Sequence, residues 1–307
     1  MPTVQASIDL GTNTCLLLVA EVDSKKKQIT RVISDHSTIV RLGQEVDRTR
    51  TLHPVAMDRT LDCLRKYAEI VKREGVDPAR VISVATATAR DATNGKEFFD
   101  LVQKETKFKF RVLSGDEEAH YTFVGALPFG ADLQKYAVID IGGGSTEFMA
   151  AKSGKSLNIG SVRFTERFLL SNPVTDDEFW KCQEATDQEL LAMKNWRQTL
   201  PTGIELIAVA GTATTLATWF LGLNRFDARA IDGTILKTGD LHRMVEELKW
   251  RSISERQKIN GIEPERADVL LAGALILWRS LEVLKFDHCK VSTKGLRYGV
   301  LSALSAE

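Results

Sequence analysis

Apolar and polar residues alternate along several short segments of the chain, and each such segment predicts a β-strand. Two of these segments, 4–10 and 136–141, end in a glycine-containing turn that leads into a second strand-like segment. Apolar residues at helical spacing predict helices between the strands, for example over 53–75, which ends at a glycine. The other predicted strands are 15–22, 27–34, 80–85, 110–113, 146–150, 204–210 and 290–292, and the other predicted helices are 94–105, 115–127, 175–196, 212–221, 240–250, 265–283 and the segment from about 295. Strands that alternate with helices favour an α/β fold.

The composition is typical of a globular protein without a charge bias. The 307 residues carry 41 basic and 41 acidic side chains, so no global field attracts nucleic acid or an anionic membrane. The length suggests two domains. Four cysteines lie far apart without CxxC spacing, which favours reduced, buried thiols over a zinc site or disulfides. With no signal-peptide pattern and no apolar run of the ~18 residues that a membrane helix needs, we expect a cytoplasmic protein that binds neither nucleic acid nor membrane.

An internal repeat connects the two glycine turns. The stretch SIDLGTNTCLLLVAE begins at Ser7 and aligns with VIDIGGGSTEFMAAK, which begins at Val138. The aligned pairs are Asp9 with Asp140, Gly11 with Gly142 and Thr14 with Ser145. The offset is about the length of one domain. We therefore expect two related domains that face each other across a cleft, with both turns directed at one ligand.

The two turns have the composition of a phosphate site. Glycine tolerates positive φ and lets several backbone N–H groups point into one concavity that accepts an anion. The predicted phosphate-binding residues of the turns are Gly11, Thr12, Asn13, Thr14, Gly142, Gly143, Gly144, Ser145 and Thr146. Asp9 and Asp140 would repel phosphate but suit a Mg²⁺ ion or its waters. One such turn alone fits a flexible hairpin equally well, whereas two matching turns, each preceded by aspartate, favour a phosphate–metal site.

The chain also resembles a known superfamily and one family within it. Its paired D-[LI]-G-[TG] turns are similar to those that clamp nucleotide phosphates in the actin, Hsp70 and sugar-kinase fold. The motifs that match the Ppx/GppA phosphatases, in order, are SIDLGTNTCLLLV, ATATARDATN, LSGDEEAHYTFVGA, VIDIGGGSTEF, NIGSVRFTERF, VAGTATTLA, IEPERADVLLAGA and STKGLRYGVL. This resemblance implies two actin-like (ASKHA, ribonuclease H-like) α/β domains with an interdomain cleft. We expect them at 1–126 and 127–307, with the C-terminal helix of about 295–307 packed back onto the first, and without the HD-like and C-terminal domains of longer relatives.

An acidic run, Asp116-Glu117-Glu118, begins a predicted helix. By itself it fits a helix start that complements the helix dipole. The resemblance instead implies Glu118 as the catalytic base of the family motif SGxEEAR, with Glu117 capping the helix. His120 stands where the family usually has arginine. Arg90 matches an arginine that contacts substrate phosphate in the family, and a guanidinium fork suits phosphate oxygens, although a surface ion pair would also explain it.

The resemblance further implies supporting residues. Glu147 matches a metal-site carboxylate, which together with Asp9 and Asp140 would hold Mg²⁺. The candidate basic groups near the substrate phosphates are Arg266, Lys294 and Arg297; a structural role is an equally good interpretation of Arg266. Gly211 and Thr212 resemble the strand–helix turn of the superfamily's adenosine motif, and either line a nucleotide pocket or simply close that connection.

The expected activity is hydrolysis of a terminal phosphoanhydride with release of orthophosphate. Its substrate would be inorganic polyphosphate, guanosine pentaphosphate (pppGpp to ppGpp, a reaction of the stringent response), or both, because both end in the same bond. One alternative is a non-catalytic (p)ppGpp-binding sensor, which needs the turns and basic residues but not Glu118. A kinase of the same superfold and an actin-like filament protein are further alternatives. The resemblance also allows a homodimer.

Overall fold

The computed structural model describes residues 2–151 and 153–304. The repeat partner Lys152 and the end of the predicted C-terminal helix, 305–307, lie outside the described residues. The chain divides into two compact units, the first containing residues up to Phe129 together with those from Lys294 onward, and the second Gly130–Thr293. Each unit is built on a sheet of its own. In the described ranges, no helix is both long enough and apolar enough to cross a membrane.

The first unit contains a five-stranded sheet in the order β3-β2-β1-β4-β5. Its strands are β1 (Thr3–Leu10), β2 (Thr14–Asp23), β3 (Gln28–Ile39), β4 (Ile82–Ala85) and β5 (Phe110–Val112). Its helices up to this point in the chain are α1 (Val46–Thr49), α2 (Pro54–Arg73), α3 (Ala87–Asp91), α4 (Gly95–Thr106) and α5 (Gly115–Ala126). The strands β1, β2 and β3 are antiparallel neighbours, whereas β4 and β5 run parallel to β1.

The second unit contains a six-stranded sheet in the order β10-β11-β9-β6-β7-β8. Its strands are β6 (Tyr136–Ile141), β7 (Thr146–Ala150), β8 (Ser153–Leu157), β9 (Glu205–Val209), β10 (Ile235–Lys237) and β11 (His288–Val291). Its helices are α6 (Ser161–Phe168), α7 (Asp176–Leu191), α8 (Lys194–Thr199), α9 (Ala210–Phe220), α10 (Ala228–Ile231), α11 (Thr238–Trp250), α12 (Ile253–Arg256) and α13 (Leu270–Leu284).

The two sheets share one topology. The second sheet from β8 through β7, β6 and β9 to β11 repeats the order of the first, with the same antiparallel and parallel pairings, and β10 is an extra edge strand. In each unit the predicted turn joins the central strand to its antiparallel neighbour. The predicted α/β class and the predicted internal repeat are therefore confirmed.

The last helix, α14 (Leu296–Leu304), belongs to the first unit and packs against α5. The two helices touch at glycines: a Cβ on Gly299 would overlap the carbonyl of Tyr121, and one on Gly125 would overlap the backbone of Gly299. Val300 and Leu301 are fully buried, and burying a side chain of this size contributes roughly 1.5–3 kcal/mol. The N-terminal end of α14 is thereby held beside β1, where Ser7 Oγ donates to the Arg297 carbonyl at 2.8 Å.

Several element boundaries differ from the sequence prediction for local physical reasons. The strand expected over 80–85 begins at Ile82, because Pro78–Arg80 forms a 3₁₀ turn capped by Asp77. In the same way Pro264–Arg266 forms a 3₁₀ turn, and the helix expected from 265 begins at Leu270. The sequence prediction missed β8, a short strand that pairs with β7, and α6, whose first turn hydrogen-bonds to the second glycine turn.

Candidate active site

The first turn is fixed by its own backbone. Gly11 N donates to Thr14 O at 2.9 Å, which closes the turn between β1 and β2. The carbonyl of Asn13 accepts from Val40 N and Arg41 N at 2.9 Å each, and the Thr12 carbonyl accepts from Gly43 N at 2.8 Å. The turn's inner carbonyls are thus used by the segment that follows β3. Such an arrangement holds the turn in one conformation, as a preorganised anion site requires.

Helix α3 anchors the first turn from the side. Thr88 Oγ1 donates to Thr12 Oγ1 at 2.8 Å in a buried hydrogen bond. A Cβ on Gly43 would overlap both of these side chains, so only glycine fits there. Because the Thr12 hydroxyl accepts from Thr88, its own hydrogen can be donated elsewhere, for instance to a phosphate oxygen. The prediction of Thr12 as a phosphate-binding residue is compatible with this geometry.

Glu118 and Arg90, predicted from separate motifs, lie together. Glu118 is in the first turn of α5, and Arg90 is on α3. Arg90 Nη1 donates to Glu118 Oε2 and to Leu113 O, both at 2.8 Å. The Glu118 side chain is 9% exposed and that of Arg90 25%. The pair thus consists of a buried carboxylate and a more exposed guanidinium that orients it.

The environment of Glu118 suits a general base. Burial raises the pKa of Glu118 above its ordinary value, while the charge and hydrogen bond of Arg90 and a hydrogen bond from Thr86 oppose that rise. A carboxylate with a raised pKa takes up a proton more readily, and the opposing donors favour its ionised form. Thr86 and Arg90 flank the first turn of α3, so the ATATAR segment supplies both groups that hold this carboxylate.

Glu117 has the different role that was expected of it. Glu117 Oε2 accepts from Ser114 N at 2.9 Å, and Ser114 Oγ accepts from Glu117 N at 3.2 Å, which makes a capping box. Glu117 also forms an ion pair with Arg111. These contacts, led by the Ser114 backbone hydrogen bond, lower the pKa of Glu117. The expected helix cap is confirmed, whereas His120 is exposed on the same helix with its ring edge against Tyr121.

The second turn is closed like the first but supported differently. Gly142 N donates to Ser145 O at 3.0 Å. The outer carbonyls of the turn accept from the first turn of α6: Ser161 N donates to Gly142 O at 3.0 Å, and the N–H groups of 162 and 163 donate to Gly143 O at 2.9 and 3.0 Å. A Cβ on Gly160 would overlap the backbone of Gly143 and Gly144. The NIGS segment therefore acts as the support of the glycine turn.

Thr146 requires a correction. It was predicted to bind phosphate, but it is fully buried and its hydroxyl donates to the carbonyl of Ile159 at 2.7 Å. A hydroxyl hydrogen has one direction at a time, so this bond fixes the segment before α6 instead of facing a ligand. The buried Ser145 stays a predicted phosphate ligand.

Two of the three predicted metal carboxylates are neighbours. Asp140 on β6 and Glu147 on β7 are directly opposite in the antiparallel register, which places their Cβ atoms about 4.5–5.5 Å apart. Glu147 is 2% exposed and accepts from Ser156 Oγ at 2.7 Å. Like charges in this register repel, and a divalent cation would relieve the repulsion. Asp9 lies in the first unit, and no group of three or more His, Cys, Asp or Glu side chains arranged to hold a metal occurs in the described part of the chain.

The three candidate basic residues have different surroundings. Arg297 is buried, and its Nε and Nη2 donate to the two carboxylate oxygens of Asp35 at 2.8 Å each. Burial opposes the charge of Arg297, but Asp35, Tyr298 and Asp9 together raise its pKa. Arg297 thus links α14 to β3, and Asp35 occupies two of the nitrogen atoms that were expected to face phosphate. Lys294, just before α14, is exposed.

Arg266 lies over the strand–helix turn of the second unit. Its Nε donates to Glu263 Oε2 at 2.5 Å, and its guanidinium occupies the position that a Cβ on Gly211 would take. The preceding residue, Ala210, has φ 66°, a conformation that costs a non-glycine residue of order 1–3 kcal/mol. The turn predicted to resemble an adenosine motif is therefore a strained, tightly packed junction covered by an arginine.

Comparison with known proteins places these motifs in one family. Residues 18–306 match the sequence model of the Ppx/GppA phosphatase family. Exopolyphosphatase 2 of Mycobacterium tuberculosis is 32% identical over 320 residues, a match that covers 98% of either chain. A bifunctional 3-dehydroquinate synthase/phosphatase of Fusobacterium nucleatum is 35% identical over 301 residues, which cover 94% of this chain but 45% of that protein.

The fold agrees with solved structures of the same kind. The crystal structure of an exopolyphosphatase from Cytophaga hutchinsonii is 27% identical and superimposes with a TM-score of 0.87 over 98% of this chain and 97% of that one. The match extends over almost the whole chain, so it includes both repeated units. The prediction of an actin-like α/β fold is thereby confirmed.

Proposed function

The chain belongs to the Ppx/GppA phosphatase family, and from this we propose that it hydrolyses the terminal phosphoanhydride of inorganic polyphosphate and releases orthophosphate. The observation that carries the proposal is the buried Glu118 held by Arg90. An exopolyphosphatase of M. tuberculosis with 32% identity over the whole chain supports polyphosphate as the substrate class.

The proposed reaction requires three functions, and residues of this chain can supply each of them. The backbone N–H groups and hydroxyls of a glycine turn, such as the one at Gly11, hold phosphate oxygens. Glu118 orients the attacking water and accepts its proton as the phosphorus–oxygen bond forms. Arg90 aligns Glu118 through their hydrogen bond, and its more exposed guanidinium would contact the phosphate as charge develops.

A Mg²⁺ ion fits the acidic residues at the turns. Asp140 and Glu147 offer oxygen ligands in direct register, and Asp9 occupies the repeat position of Asp140. Proteins usually hold Mg²⁺ through one or two carboxylates with substrate phosphates and water completing the shell, so a pair of carboxylates is sufficient. The ion would neutralise part of the phosphate charge.

Guanosine pentaphosphate is a second candidate substrate, because its 5′ end carries the same phosphoanhydride. Its support is that the β9–α9 turn at Gly211, over which the Arg266 guanidinium packs, resembles the strand–helix turn of the superfamily's adenosine motif. Conversion of pppGpp to ppGpp would connect the protein to the stringent response.

Parallel orthophosphate-release assays on polyphosphate and pppGpp, with and without Mg²⁺, test the proposal. We expect release from at least one substrate, and the ratio of kcat/KM values assigns the preferred one. Binding of both compounds without release would refute the hydrolase and support the sensor. Phosphate transfer that requires an added hydroxyl acceptor would instead support the kinase.

A further inference from the structure

An arginine of α2 holds the segment that supports the first turn. Arg59 Nε donates to Val40 O at 2.5 Å, and Arg59 Nη2 donates to Arg41 O at 3.3 Å. The N–H groups of Val40 and Arg41 in turn donate to the carbonyl of Asn13 at 2.9 Å each. Arg59, which belongs to none of the family motifs, is therefore connected to the turn through a single stretch of backbone.

The hydrogen bonds on the two sides of this stretch align its peptide dipoles. Val40 O and Arg41 N belong to one trans peptide group, in which C=O and N–H point in opposite directions. The guanidinium donates to the oxygen of this group, and the N–H of the group donates to Asn13 O. Asn13 O belongs to the next such group, whose N–H is that of Thr14 and points away from the supporting segment. Two peptide dipoles therefore run head to tail from the guanidinium into the turn.

No carboxylate neutralises the charge of Arg59 among the residues that the structure describes. The side chain is partly buried, and its hydrogen bonds go to the two backbone carbonyls. Burial, followed by the charge of Arg41, lowers the pKa of Arg59. By contrast Arg65, later on the same helix, donates to the carboxylates of Asp62 and Glu105. A positive charge without a counterion at one end of aligned dipoles favours an anion at the other end.

We propose that Arg59 is a positioning residue of the phosphate site, whose charge raises the phosphate affinity of the first turn through the two aligned peptide groups. The inference rests on the proposed phosphate-binding function of that turn. Three hydrogen bonds, including the one to the anion, and two peptide groups of standard dimensions span at most about 13 Å. At an effective dielectric constant of about 20, a unit charge at that distance changes the affinity for a singly charged anion about tenfold.

Binding of methylenediphosphonate to matched variants tests the proposal. Its P–C–P bridge cannot be hydrolysed, so calorimetric titration in the presence of Mg²⁺ measures phosphate binding without turnover. Arg59→Gln keeps an N–H donor but removes the charge, and its Kd should rise about tenfold. Arg59→Lys keeps the charge and a donor for one carbonyl, so its Kd should stay within about threefold of that of the wild type. Arg65→Gln removes an exposed charge from the same helix and should change the Kd less than about twofold.

Kinetics with polyphosphate add a second measurement. The turn would hold phosphate both before and during the reaction, so the loss in Arg59→Gln should appear mainly in KM and much less in kcat. A merely structural role of Arg59 would affect Arg59→Gln and Arg59→Lys alike, because both lose the fork that spans two carbonyls. Recovery of affinity in Arg59→Lys therefore separates the effect of charge from that of packing.

The outcomes separate this inference from the proposed hydrolysis. Equal Kd values in Arg59→Gln and Arg65→Gln, equal losses in Arg59→Gln and Arg59→Lys, or no binding to the wild type would overturn the inference. Binding to the wild type without orthophosphate release from polyphosphate would refute the hydrolysis alone. Circular dichroism melting shows which variants are folded. If Arg59→Gln does not fold, Arg59→Lys decides: a Kd within about threefold of the wild type supports the inference, and a loss of about tenfold overturns it.

Discussion

Replacing Glu118 by glutamine tests the central assignment of the active site. Glutamine keeps the side-chain length and an oxygen that can face Arg90 Nη1, which is 2.8 Å from the carboxylate, but it cannot accept a proton. A positioned general base contributes about 10²–10⁴-fold to the rate, or roughly 2.7–5.4 kcal/mol at 1.36 kcal/mol per decade. We expect kcat for orthophosphate release to fall by that factor. KM should stay the same or decrease, because a negative charge near the phosphates is gone.

The stability of the Glu118→Gln variant separates catalysis from damage to the fold. Burial raises the pKa of Glu118 in the folded chain. The unfolded state therefore releases this proton at lower pH, and the free energy of unfolding falls as pH rises from the unfolded pKa through the folded one. Glutamine does not titrate, so the variant does not undergo this decrease in the free energy of unfolding. At neutral pH we expect the melting temperature of the variant, measured by circular dichroism, to equal or exceed that of the wild type.

Glu117→Gln is the matched control. It keeps the capping-box geometry but removes the charge at the start of α5 and the ion pair with Arg111. That loss is expected to lower the free energy of unfolding by about 0.3–1 kcal/mol and the melting temperature by up to roughly 4 °C, with turnover nearly unchanged. Near-wild-type turnover in Glu118→Gln, or equal losses of turnover in both variants, would refute the assignment of Glu118 as the base.

Three further predictions follow from the same structure. Arg90→Ala removes the main group that lowers the pKa of Glu118, so the acid limb of the pH profile of kcat/KM should move to higher pH. Arg111→Ala should leave that limb in place. If the limb does not move in Arg90→Ala, it does not report the titration of Glu118. Excess EDTA should abolish orthophosphate release and added Mg²⁺ should restore it, because the carboxylates at the turns would otherwise repel the substrate. Full activity in EDTA would show that the reaction does not require a metal ion. Gly299→Ala should lower the free energy of unfolding by at least about 2 kcal/mol, because its Cβ would overlap a carbonyl of α5. Gly239→Ala, at an exposed position of α11 with open space around it, should not destabilise. Equal melting temperatures of the two variants would contradict the close helix contact.

The sequence was sufficient to predict the features that have a local pattern. Alternation of apolar residues located β6 at its observed bounds, and the aligned Asp9 and Asp140 identified the two central strands. The capping role of Glu117 follows from its position three residues after Ser114, a spacing that single-sequence reasoning can recognise. These features depend on neighbours within a few residues along the chain.

Features that depend on packing between distant segments could not be predicted in the same way. No local pattern around Thr88 predicts its hydrogen bond to Thr12, which lies 76 positions away. The three alternating polar residues in ATATAR were the available signal. The bond that withdraws Thr146 from the ligand side is made to a carbonyl 13 positions later. Asp35 lay in a segment with no predicted role, yet it holds Arg297 across 262 positions.

The two turns are supported by different elements of the fold. In the first unit an extended segment after β3 donates to the turn carbonyls through 40, 41 and 43. That segment lies so close to Thr12 that a Cβ on Gly43 would overlap the Thr12 side chain. In the second unit the first turn of α6 donates to the turn carbonyls, and its backbone lies directly against the turn. A Cβ at Gly160 would overlap Gly143 and Gly144, so this approach, like that of Gly43 in the first unit, requires a glycine on the supporting segment.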